Sequence, residues 1–285
     1  MMAGWIVVNA FYSSPKFDEL HEWLKRSAGE ARLTTTMVTN AQVQGLLRRG
    51  ERPEWVLFWD KDVHVARLIE AFGIRCLNSA RAIEMCDDKS RTYLELLAQD
   101  IPQPETWVVP LRFASTAWDD SCFVDDAIDA MGLPLVAKEA FGSFGAQVHL
   151  VHSRDELVGF LDNLGTAPAL LQRFVASSTG RDLRLQVVGD QVVAAIERNA
   201  QAGEFRANLT HGGTAHANAP TVAQRDLALA TTAALGLDFA GVDLLFGEDG
   251  VPVVCEVNSN AHFVNISQIT GIDVGRAIME HIRDA

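Results

Sequence analysis

Two apolar runs near the C-terminus, joined by a turn sequence, constrain the fold of this chain more than any other segment. They cover residues 241–246 and 251–258, and the residues between them read Gly-Glu-Asp-Gly. Apolar runs that flank an Asp-Gly turn predict a β-hairpin. If the turn is centred near Asp249 and Gly250, Asp243 lies roughly opposite Glu256.

Three polar side chains interrupt these runs: Asp243, Glu256 and Asn258. Glu256 and Asn258 are two residues apart and therefore share one face of their strand. Two carboxylates and an amide oxygen form a hard-oxygen set, which suits Mg²⁺ held jointly with phosphate oxygens. The alternative is an exposed hairpin face on which the carboxylates are simply solvated. The apolar neighbours favour burial, and buried carboxylates need partners.

Composition excludes several classes of protein. Of the 285 residues 48% are hydrophobic, which is ample for a packed core and argues against disorder. The net charge of −13 disfavours binding to nucleic acid or to an anionic membrane. No apolar run approaches the roughly 18 residues of a membrane-spanning helix. We therefore expect a soluble, cytoplasmic protein, and a homo-oligomer stays open.

The four cysteines, at positions 76, 86, 122 and 255, form no CxxC pair, so they indicate neither a disulfide framework nor a Cys-based zinc site.

Strands and helices alternate in the N-terminal third of the chain. Strands are predicted at 5–9, 54–59 and 74–77, and helices at 17–27 and 63–72. This alternation indicates a small α/β unit with a parallel sheet. Two short helices, 79–86 and 89–99, and an extended Pro-containing segment, 101–107, follow. We place the first domain boundary between residues 78 and 90.

The rest of the chain is richer in hairpins. Strands are predicted at 135–139, 147–151, 169–175, 182–188 and 191–197. Helices are predicted at 153–164, where Ser153 and Glu156 form a capping box, from Thr221 to Gly236, and after Asp273.

A glycine-containing loop follows Lys138 and reads Phe141-Gly-Ser-Phe-Gly-Ala. Such a loop lets backbone N–H groups approach phosphates closely, although it matches neither a Walker A loop nor a dinucleotide fingerprint. Lys138 shares a strand face with Val136, where an apolar side chain is expected. Either Lys138 extends its ammonium group to solvent along an apolar surface, or it is directed at a nucleotide phosphate.

A dense polar set lies between residues 180 and 213. Arginine is favoured for bidentate recognition of phosphate and carboxylate. Surface charge would explain any one of these residues, but a basic cluster in an acidic protein favours an anion site. The set comprises Arg181, Asp182, Arg184, Glu197, Arg198, Asn199, Arg206, Asn208, His211, Gly212 and Gly213.

Taken in order, these motifs resemble those of the ATP-grasp superfamily and, within it, the RimK-like amino-acid ligases. The resemblance covers nearly the whole chain and is densest from Asp88 onward. It rests on Asp88-Lys89, on 101–106, on 134–138 with Gly142–Gly145, on 171–175, on 180–184, on 188–198, on 205–208, on 212–213, on 240–245, on 256–259 and on 270–273.

The resemblance implies an α/β fold with α+β character in the C-terminal part. It implies an N-terminal pre-ATP-grasp α/β domain (1–88), a central subdomain with the phosphate-covering loop (89–175) and a C-terminal subdomain with the magnesium site (176–285).

The resemblance also implies roles for residues that bind the nucleotide. Lys89 and Lys138 would contact the ATP phosphates. The loop Gly142, Ser143, Phe144 and Gly145 would fold over them. Gln172, Arg173, Phe174 and Val175 would contact adenine through the backbone. Asp243, Glu256 and Asn258 would bind Mg²⁺, with Mn²⁺ as an alternative ion.

Further roles concern phosphoryl transfer and the substrates. Arg198, with Arg206 and Asn208, would stabilise the transferring phosphoryl group and an acyl-phosphate. Asp182 and Arg184 would lie nearer the acceptor, and Asp182 is grouped with the cofactor-binding residues. The substrate candidates are Arg184, His211, Gly212, Gly213, Asn260 and His262.

The implied reaction is ATP-dependent joining of a carboxylate and an amine through an acyl-phosphate, with release of ADP. It needs positioned cations and metal ligands but no Ser or Cys nucleophile. The substrates would be amino acids, a small peptide or a metabolite. A ligase that adds glutamate to a protein tail or a coenzyme, and a non-catalytic nucleotide-binding protein, are the alternatives.

Three places depart from the family pattern and leave the substrate open. The turn after Asn258 contains Asn260-Ala-His262-Phe263, the loop contains Phe144 and Ala146, and His211 precedes the two glycines. We expect His262 or His211 to touch the substrate. A zinc site formed by His211, His216 and His262 is the weaker hypothesis, because these residues lack tight ligand spacing.

Overall fold

The computed structural model describes residues 3–113, 122–142, 145, 147–207 and 212–285. Within these residues the chain forms three sheets, of four, four and five strands. None of the helices in these ranges is long and apolar enough to cross a membrane.

The N-terminal sheet is parallel, as the strand–helix alternation predicted. Its strands run in the order β2-β1-β3-β4. The elements are β1 (Ala3–Val8), α1 (Pro15–Glu30), β2 (Thr34–Thr39), α2 (Asn40–Arg48), β3 (Trp55–Phe58), α3 (Val63–Ala71) and β4 (Cys76–Leu77).

β2 and α2 were not predicted from the sequence. The signal was available, because β2 consists mostly of β-branched residues and Thr39 and Gln42 form a capping box at the start of α2.

Two short helices connect this sheet to the rest: α4 (Ala80–Asp87) and α5 (Lys89–Ala98). Asp88 separates them and caps α5, because its side chain accepts hydrogen bonds from the N–H groups of Ser90 and Arg91. The cap fixes where α5 begins and so places Lys89 in its first turn.

The central sheet is antiparallel in the order β5-β8-β6-β7. It contains β5 (Thr106–Val108), α6 (Cys122–Met131), β6 (Leu135–Glu139), β7 (Val148–Val151), α7 (Arg154–Asn163) and β8 (Ala169–Arg173). The predicted capping box of α7 is only half correct. Ser153 accepts from the N–H of Glu156, but the Glu156 carboxylate accepts from the N–H of His152, one residue earlier.

The C-terminal sheet is antiparallel in the order β11-β10-β9-β12-β13. Its elements are β9 (Arg181–Val188), β10 (Gln191–Asn199), β11 (Thr214–Ala217), α8 (Val222–Ala234), β12 (Phe239–Phe246), β13 (Pro252–Asn258), α9 (Val264–Thr270) and α10 (Val274–Asp284). The predicted C-terminal hairpin is β12–β13, and Asp243 pairs with Glu256 as expected.

The N-terminal and C-terminal sheets share one apolar core, whereas the central sheet packs around its own. Trp59 stacks on Phe239 with ring centroids 5.5 Å apart. Trp23 of α1 donates from Nε1 to Oδ1 of Asp273, 2.8 Å away, and Asp273 caps α10. We propose domain boundaries near residues 88 and 175, with the first and third units packed into one body.

Candidate active site

One cavity of about 650 Å³ is lined by residues from all three sheets. The central sheet contributes Lys138 and the residues at the end of β8. The C-terminal sheet contributes Asp182, Arg184, Arg198, Asp243, Glu256 and Asn258. A volume of this size is typical of small-molecule sites. The predicted nucleotide, metal and phosphoryl-transfer residues therefore meet in one place, except for those outside the described ranges.

Acidic and basic side chains form a row across four neighbouring strands. The register places Arg198 opposite Asp182, Arg184 opposite Asp243, and Asp243 opposite Glu256. Directly opposed residues in antiparallel strands hold their side chains on one face, within reach of each other. The row therefore follows from strand pairing, and the cavity lies over it.

Asp243 is the most enclosed member of this row, with only 3% of its surface exposed. Its two oxygens accept hydrogen bonds from Nε and Nη2 of Arg184, and Nη2 of Arg198 lies 3.0 Å from Oδ2. Burial acts to raise the pKa of the Asp243 carboxyl, but the two arginines outweigh burial and hold the pKa below its usual value. Asp243 is therefore an anion at neutral pH.

Asp182 holds Arg198 through two parallel hydrogen bonds, Nε to Oδ1 at 2.7 Å and Nη2 to Oδ2 at 2.6 Å. Burial raises the pKa of Asp182 to about 6, against the opposing effect of Arg198. Asp182 differs from Asp243 because its carboxylate is bonded to one arginine, whereas the carboxylate of Asp243 contacts two. The pKa of Arg198 is raised, since Asp243 and Asp182 outweigh its burial. Arg198 is thus a permanently charged, oriented cation at the cavity wall.

The predicted metal set faces the cavity on one side of β12–β13. Glu256 and Asn258 line the cavity, and the Glu256 side chain is 37% exposed with Lys89 Nζ at 3.7 Å. Asn258 Nδ2 is buried and has no hydrogen-bond partner among the described residues. The two carboxylates and the Asn258 amide oxygen fit a hard divalent ion such as Mg²⁺, which would share Asp243 with Arg184.

No group of three or more His, Cys, Asp or Glu residues that could hold a metal occurs in the described parts of the chain. The metal set therefore needs the Asn258 amide as its third ligand. The described residues give no support to a zinc site formed by histidines. His211, one of the three histidines considered for it, lies outside the described residues.

Two lysines, Lys89 and Lys138, line the cavity. Lys138 is 7% exposed, and its Nζ donates to Oε1 of Gln172 at 3.0 Å. Burial lowers the pKa of Lys138. Because Lys138 is enclosed, the alternative in which its ammonium group reaches solvent is wrong. Lys89 Nζ donates to the carbonyl of Gly142 at 3.1 Å.

The phosphate-loop candidate is described only in part, since Ser143 and Phe144 lie outside the described residues, as does Asn208. Gly142 has a φ of +145°, and a Cβ there would lie 2.3 Å from Oε1 of Gln147. Only glycine fits this position. Arg206 donates from Nη1 to the carbonyls of Gly145, at 2.6 Å, and Val148, at 3.2 Å. Arg206 thus ties the loop to the C-terminal sheet.

The proposed adenine contacts, Gln172, Arg173, Phe174 and Val175, all line the cavity at the end of β8. Gln172 connects Lys138 to Thr106, because its Nε2 donates to Oγ1 of Thr106 at 2.9 Å. This contact fixes the side chain of Gln172 and leaves the backbone after it to bind a ligand. The substrate candidates Arg184, Asn260 and His262 also line the cavity, whereas Gly212 and Gly213 are not among the described residues that do.

The N-terminal part of the chain supplies residues of the site that were not predicted from the sequence. Asn9, the residue after β1, and Asp60, the second residue after β3, line the cavity together with Lys16, Phe17 and His21 of α1. The signal was the parallel sheet itself, because ligands of open α/β sheets bind at the carboxyl ends of the strands.

This N-terminal side contacts the turn that departs from the family pattern. Asn260 Nδ2 donates to the Asp60 carbonyl at 2.8 Å, and His262 Nε2 lies 3.0 Å from the Lys16 carbonyl. A carbonyl only accepts, so Nε2 of His262 carries the proton and Nδ1 is an acceptor. Burial lowers the pKa of His262 to about 4, which keeps the ring neutral at neutral pH.

Two antiparallel sheets around a cavity with buried cations and an oxygen-rich strand face, beside a parallel N-terminal sheet, are typical of the ATP-grasp class of proteins. The pattern of the RimK-like ATP-grasp domain matches residues 86–282. The chain belongs to this family, and the predictions of fold class and family are confirmed.

Curated relatives agree with this family. N-acetylaspartylglutamate synthase A of Homo sapiens is 32% identical over 78% of the chain and 56% of its own length. The ribosomal protein bS6–L-glutamate ligase of Escherichia fergusonii is 37% identical over 76% of the chain and 70% of its own length. The chain thus spans little more than half of the human relative.

Solved structures share the fold. A D-alanine–D-alanine ligase of Bacillus anthracis, complexed with ATP, has a TM-score of 0.76 at 17% identity, over 99% of this chain and 97% of that one. A RimK domain ATP-grasp protein of Sphaerobacter thermophilus has a TM-score of 0.72 at 22% identity, over 97% and 98%. Agreement over nearly full length extends the fold assignment to the N-terminal sheet, outside the family match.

Proposed function

We propose that this ligase uses ATP with Mg²⁺ to phosphorylate the carboxylate of an amino acid, small peptide or metabolite, and that an amine then displaces phosphate to form an amide. The proposal rests mainly on the orientation of Arg198. Asp182 orients it by two hydrogen bonds, in the same cavity as Lys89, Lys138 and the oxygen ligands. Phosphoryl transfer depends mainly on such positioned charge.

Each residue has a role that its surroundings support. Lys138 and Lys89 neutralise phosphate charge beneath the Gly142 loop. Arg198 stabilises the transferring phosphoryl group, and Arg206 holds the loop closed through its carbonyl contacts. Asp243, Glu256 and Asn258 would hold Mg²⁺, with Mn²⁺ as an alternative, and the ion would neutralise charge on the phosphates. Bound nucleotide and substrates filling the cavity would keep water away from the acyl-phosphate.

Release of ADP in the presence of hydroxylamine tests this function. Purified protein is incubated with ATP, Mg²⁺ and one carboxylic acid or amino acid at a time. We expect ADP release that depends on the acid, together with a hydroxamate, because hydroxylamine traps an acyl-phosphate. If no carboxylate or amine stimulates ADP release, the non-catalytic alternative is favoured.

A second candidate is a ligase that adds glutamate to a protein tail. The name of the Escherichia fergusonii relative, a ribosomal protein bS6–L-glutamate ligase, supports it. Mass spectrometry of the products separates the two candidates. A free dipeptide or amide supports the small-molecule ligase, and a protein mass increased by glutamate residues supports the second candidate.

A further inference from the structure

The two strands of the proposed metal hairpin separate directly after Asn258. Gly241 and Asn258 are the last pair of β12–β13 at this end. Beyond them the chain leaves the sheet, and Asn260 donates from Nδ2 to the carbonyl of Asp60 in the N-terminal part of the chain, 2.8 Å away. Buried backbone groups need hydrogen-bond partners, so those at the open end of the hairpin must find them outside the strand pairing.

Asn78, the residue after β4, supplies these partners. Its Nδ2 donates to the carbonyls of Phe239, at 2.9 Å, and Ser259, at 2.8 Å. Its Oδ1 accepts from the N–H groups of Asp238, at 2.7 Å, and Phe239, at 3.2 Å. A carboxamide has two donor hydrogens and an oxygen that accepts twice, so Asn78 uses its whole hydrogen-bonding capacity on the backbone at the open end of the hairpin.

Burial makes this arrangement specific. Asn78 is fully buried, and Ser259 is 4% exposed. A buried carboxamide is stable only when its polar atoms are bonded, and without it the backbone groups of both strands would be left unsatisfied in the interior. An apolar side chain could fill the same space but could not join the two strands. Asparagine at position 78 therefore serves hydrogen bonding at the end of the hairpin rather than packing.

The side chain of Asn258 is not anchored through its amide nitrogen. Its Nδ2 is buried and has no hydrogen-bond partner among the described residues. The position of the Asn258 amide therefore depends largely on its backbone. That backbone is held by the pairing with Gly241 and, one residue later, by the hydrogen bond from Asn78 to the carbonyl of Ser259.

We propose that Asn78 is a positioning residue for Mg²⁺: by joining Ser259 to the start of β12, it holds Asn258 where its amide oxygen can bind the ion. This role rests on the proposed function, and it gives a residue of the N-terminal part, outside the family match that begins at residue 86, control over metal affinity. Asn78 is not among the residues that line the cavity, so it acts through Asn258 and not on the ion itself.

Binding of Mn²⁺ to the full chain in the presence of AMPPNP, a non-hydrolysable ATP analogue, tests this role by electron paramagnetic resonance. The variants are Asn78→Ser, which keeps a hydroxyl in the same space, and Asn78→Asp, which keeps the size of the side chain but loses its amide donors. Ile69→Ala is the control for lost stability, because Ile69 is fully buried in a core that the N-terminal elements form among themselves. Binding of AMPPNP in EDTA is measured on the same proteins, at a temperature at which all are folded.

We expect Asn78→Ser to weaken Mn²⁺ binding by about 10-fold or more, as for other residues that orient metal ligands, and Asn78→Asp to weaken it as well. Ile69→Ala should bind Mn²⁺ like the wild type. Binding of AMPPNP in EDTA should be unchanged in every variant, since the proposed adenine contacts lie at the end of β8 and not on the hairpin.

A double variant shows whether Asn78 acts through Asn258. In the Asn258→Ala background the amide ligand is gone, so Asn78→Ser should weaken Mn²⁺ binding by a much smaller factor than it does in the wild type. The same factor in both backgrounds would assign the effect of Asn78 to a general loosening of the fold and would overturn the inference.

Three further results would also overturn it: wild-type Mn²⁺ binding in Asn78→Ser, wild-type Mn²⁺ binding in Asn258→Ala, or AMPPNP binding in EDTA that Asn78→Ser weakens as strongly as Mn²⁺ binding. Failure of the ligase function is distinct from each of these, because it would appear as absent hydroxamate formation by the wild type in the ADP-release experiment.

Discussion

Arg184 and Asp243 form a two-point ion pair between neighbouring strands, with Nη2 of Arg184 2.5 Å from Oδ2 of Asp243. Asp243 is also the carboxylate proposed as a metal ligand. The Asp243 carboxylate also lies within 3.0 Å of Arg198, so a metal ion would compete with two arginines for its oxygens, and Arg184 holds both of them.

Replacing Arg184 by methionine should therefore strengthen binding of a divalent ion in the absence of nucleotide. We expect a gain of about 10-fold, since one charge-assisted hydrogen bond contributes on the order of 1.5–3 kcal/mol. The measurement is Mn²⁺ binding by electron paramagnetic resonance. Arg181→Met is the matched control, because Arg181 lies on the same strand but its guanidinium stacks on Phe246 at 3.9 Å. Unchanged or weaker Mn²⁺ binding in Arg184→Met would show that Arg184 supports the metal site.

Asp182→Ala should impair the chemical step more than it impairs ATP binding, because Arg198 would lose its two orienting hydrogen bonds. Breaking a buried pair should also lower the free energy of unfolding by about 3–5 kcal/mol. Steady-state ADP release and denaturant unfolding measure the two effects. Asp190→Ala, at the exposed tip of the same hairpin, is the control and should change neither. If Asp182→Ala raised the KM for ATP and left kcat unchanged, that result would argue against a role of Asp182 in orienting Arg198.

ATP binding should be accompanied by proton uptake at Lys138. Burial lowers the pKa of the free lysine, and a phosphate would raise it again. At a pH between the pKa of Lys138 in the free protein and its pKa in the ATP complex, binding of ATP takes up a proton. ATP affinity should therefore fall as the pH rises through the pKa of free Lys138. Calorimetry in buffers of different ionisation enthalpy, from neutral pH toward the usual lysine value of 10.5, measures the uptake.

The control for this linkage is Lys138→Arg, which keeps a cation but does not lose its proton in this range. It should bind ATP without the buffer dependence. An equal buffer dependence in both proteins would assign the proton to another group.

His262 should make the fold sensitive to acid. Its pKa is about 4 in the folded chain against 6.5 for an ordinary histidine. As the pH falls from 6.5 to 4, the unfolded chain binds a proton that the folded chain does not, so stability falls with pH in this window. The His262→Gln variant should lose less stability than the wild type between pH 6.5 and pH 4. Urea unfolding at several pH values measures the difference. His152→Gln, at an exposed position, should follow the wild type, and identical curves for all three would refute the assignment.

Local pattern was enough to predict the C-terminal hairpin. Its apolar runs and Asp-Gly turn determine the strand pairing, and pairing alone brings Asp243 opposite Glu256. The same holds for the helix caps at Thr221 and Asp273. The motif order from Asp88 onward was sufficient to predict the RimK-like family. These features depend on residues that are close in the chain or in a recognisable order.

The relationships between distant segments were not available from the sequence. Arg184 and Asp243 are 59 positions apart, and the sequence indicated two separate charges rather than one buried pair. Asp60 looked like an ordinary residue after a strand. Only packing of the N-terminal sheet against the C-terminal one places it in the same cavity as Asn260, 200 positions later.

By itself, the sequence determined most of the helices and strands, the C-terminal hairpin with its three polar residues, and the family, because strand pairing, caps and turns depend on neighbouring residues. Tertiary structure decided which charges are buried and paired, and which side chains of the N-terminal part line the cavity. The physical reason is that burial and ion pairing depend on which elements lie next to each other, and this is decided only when the three sheets have packed.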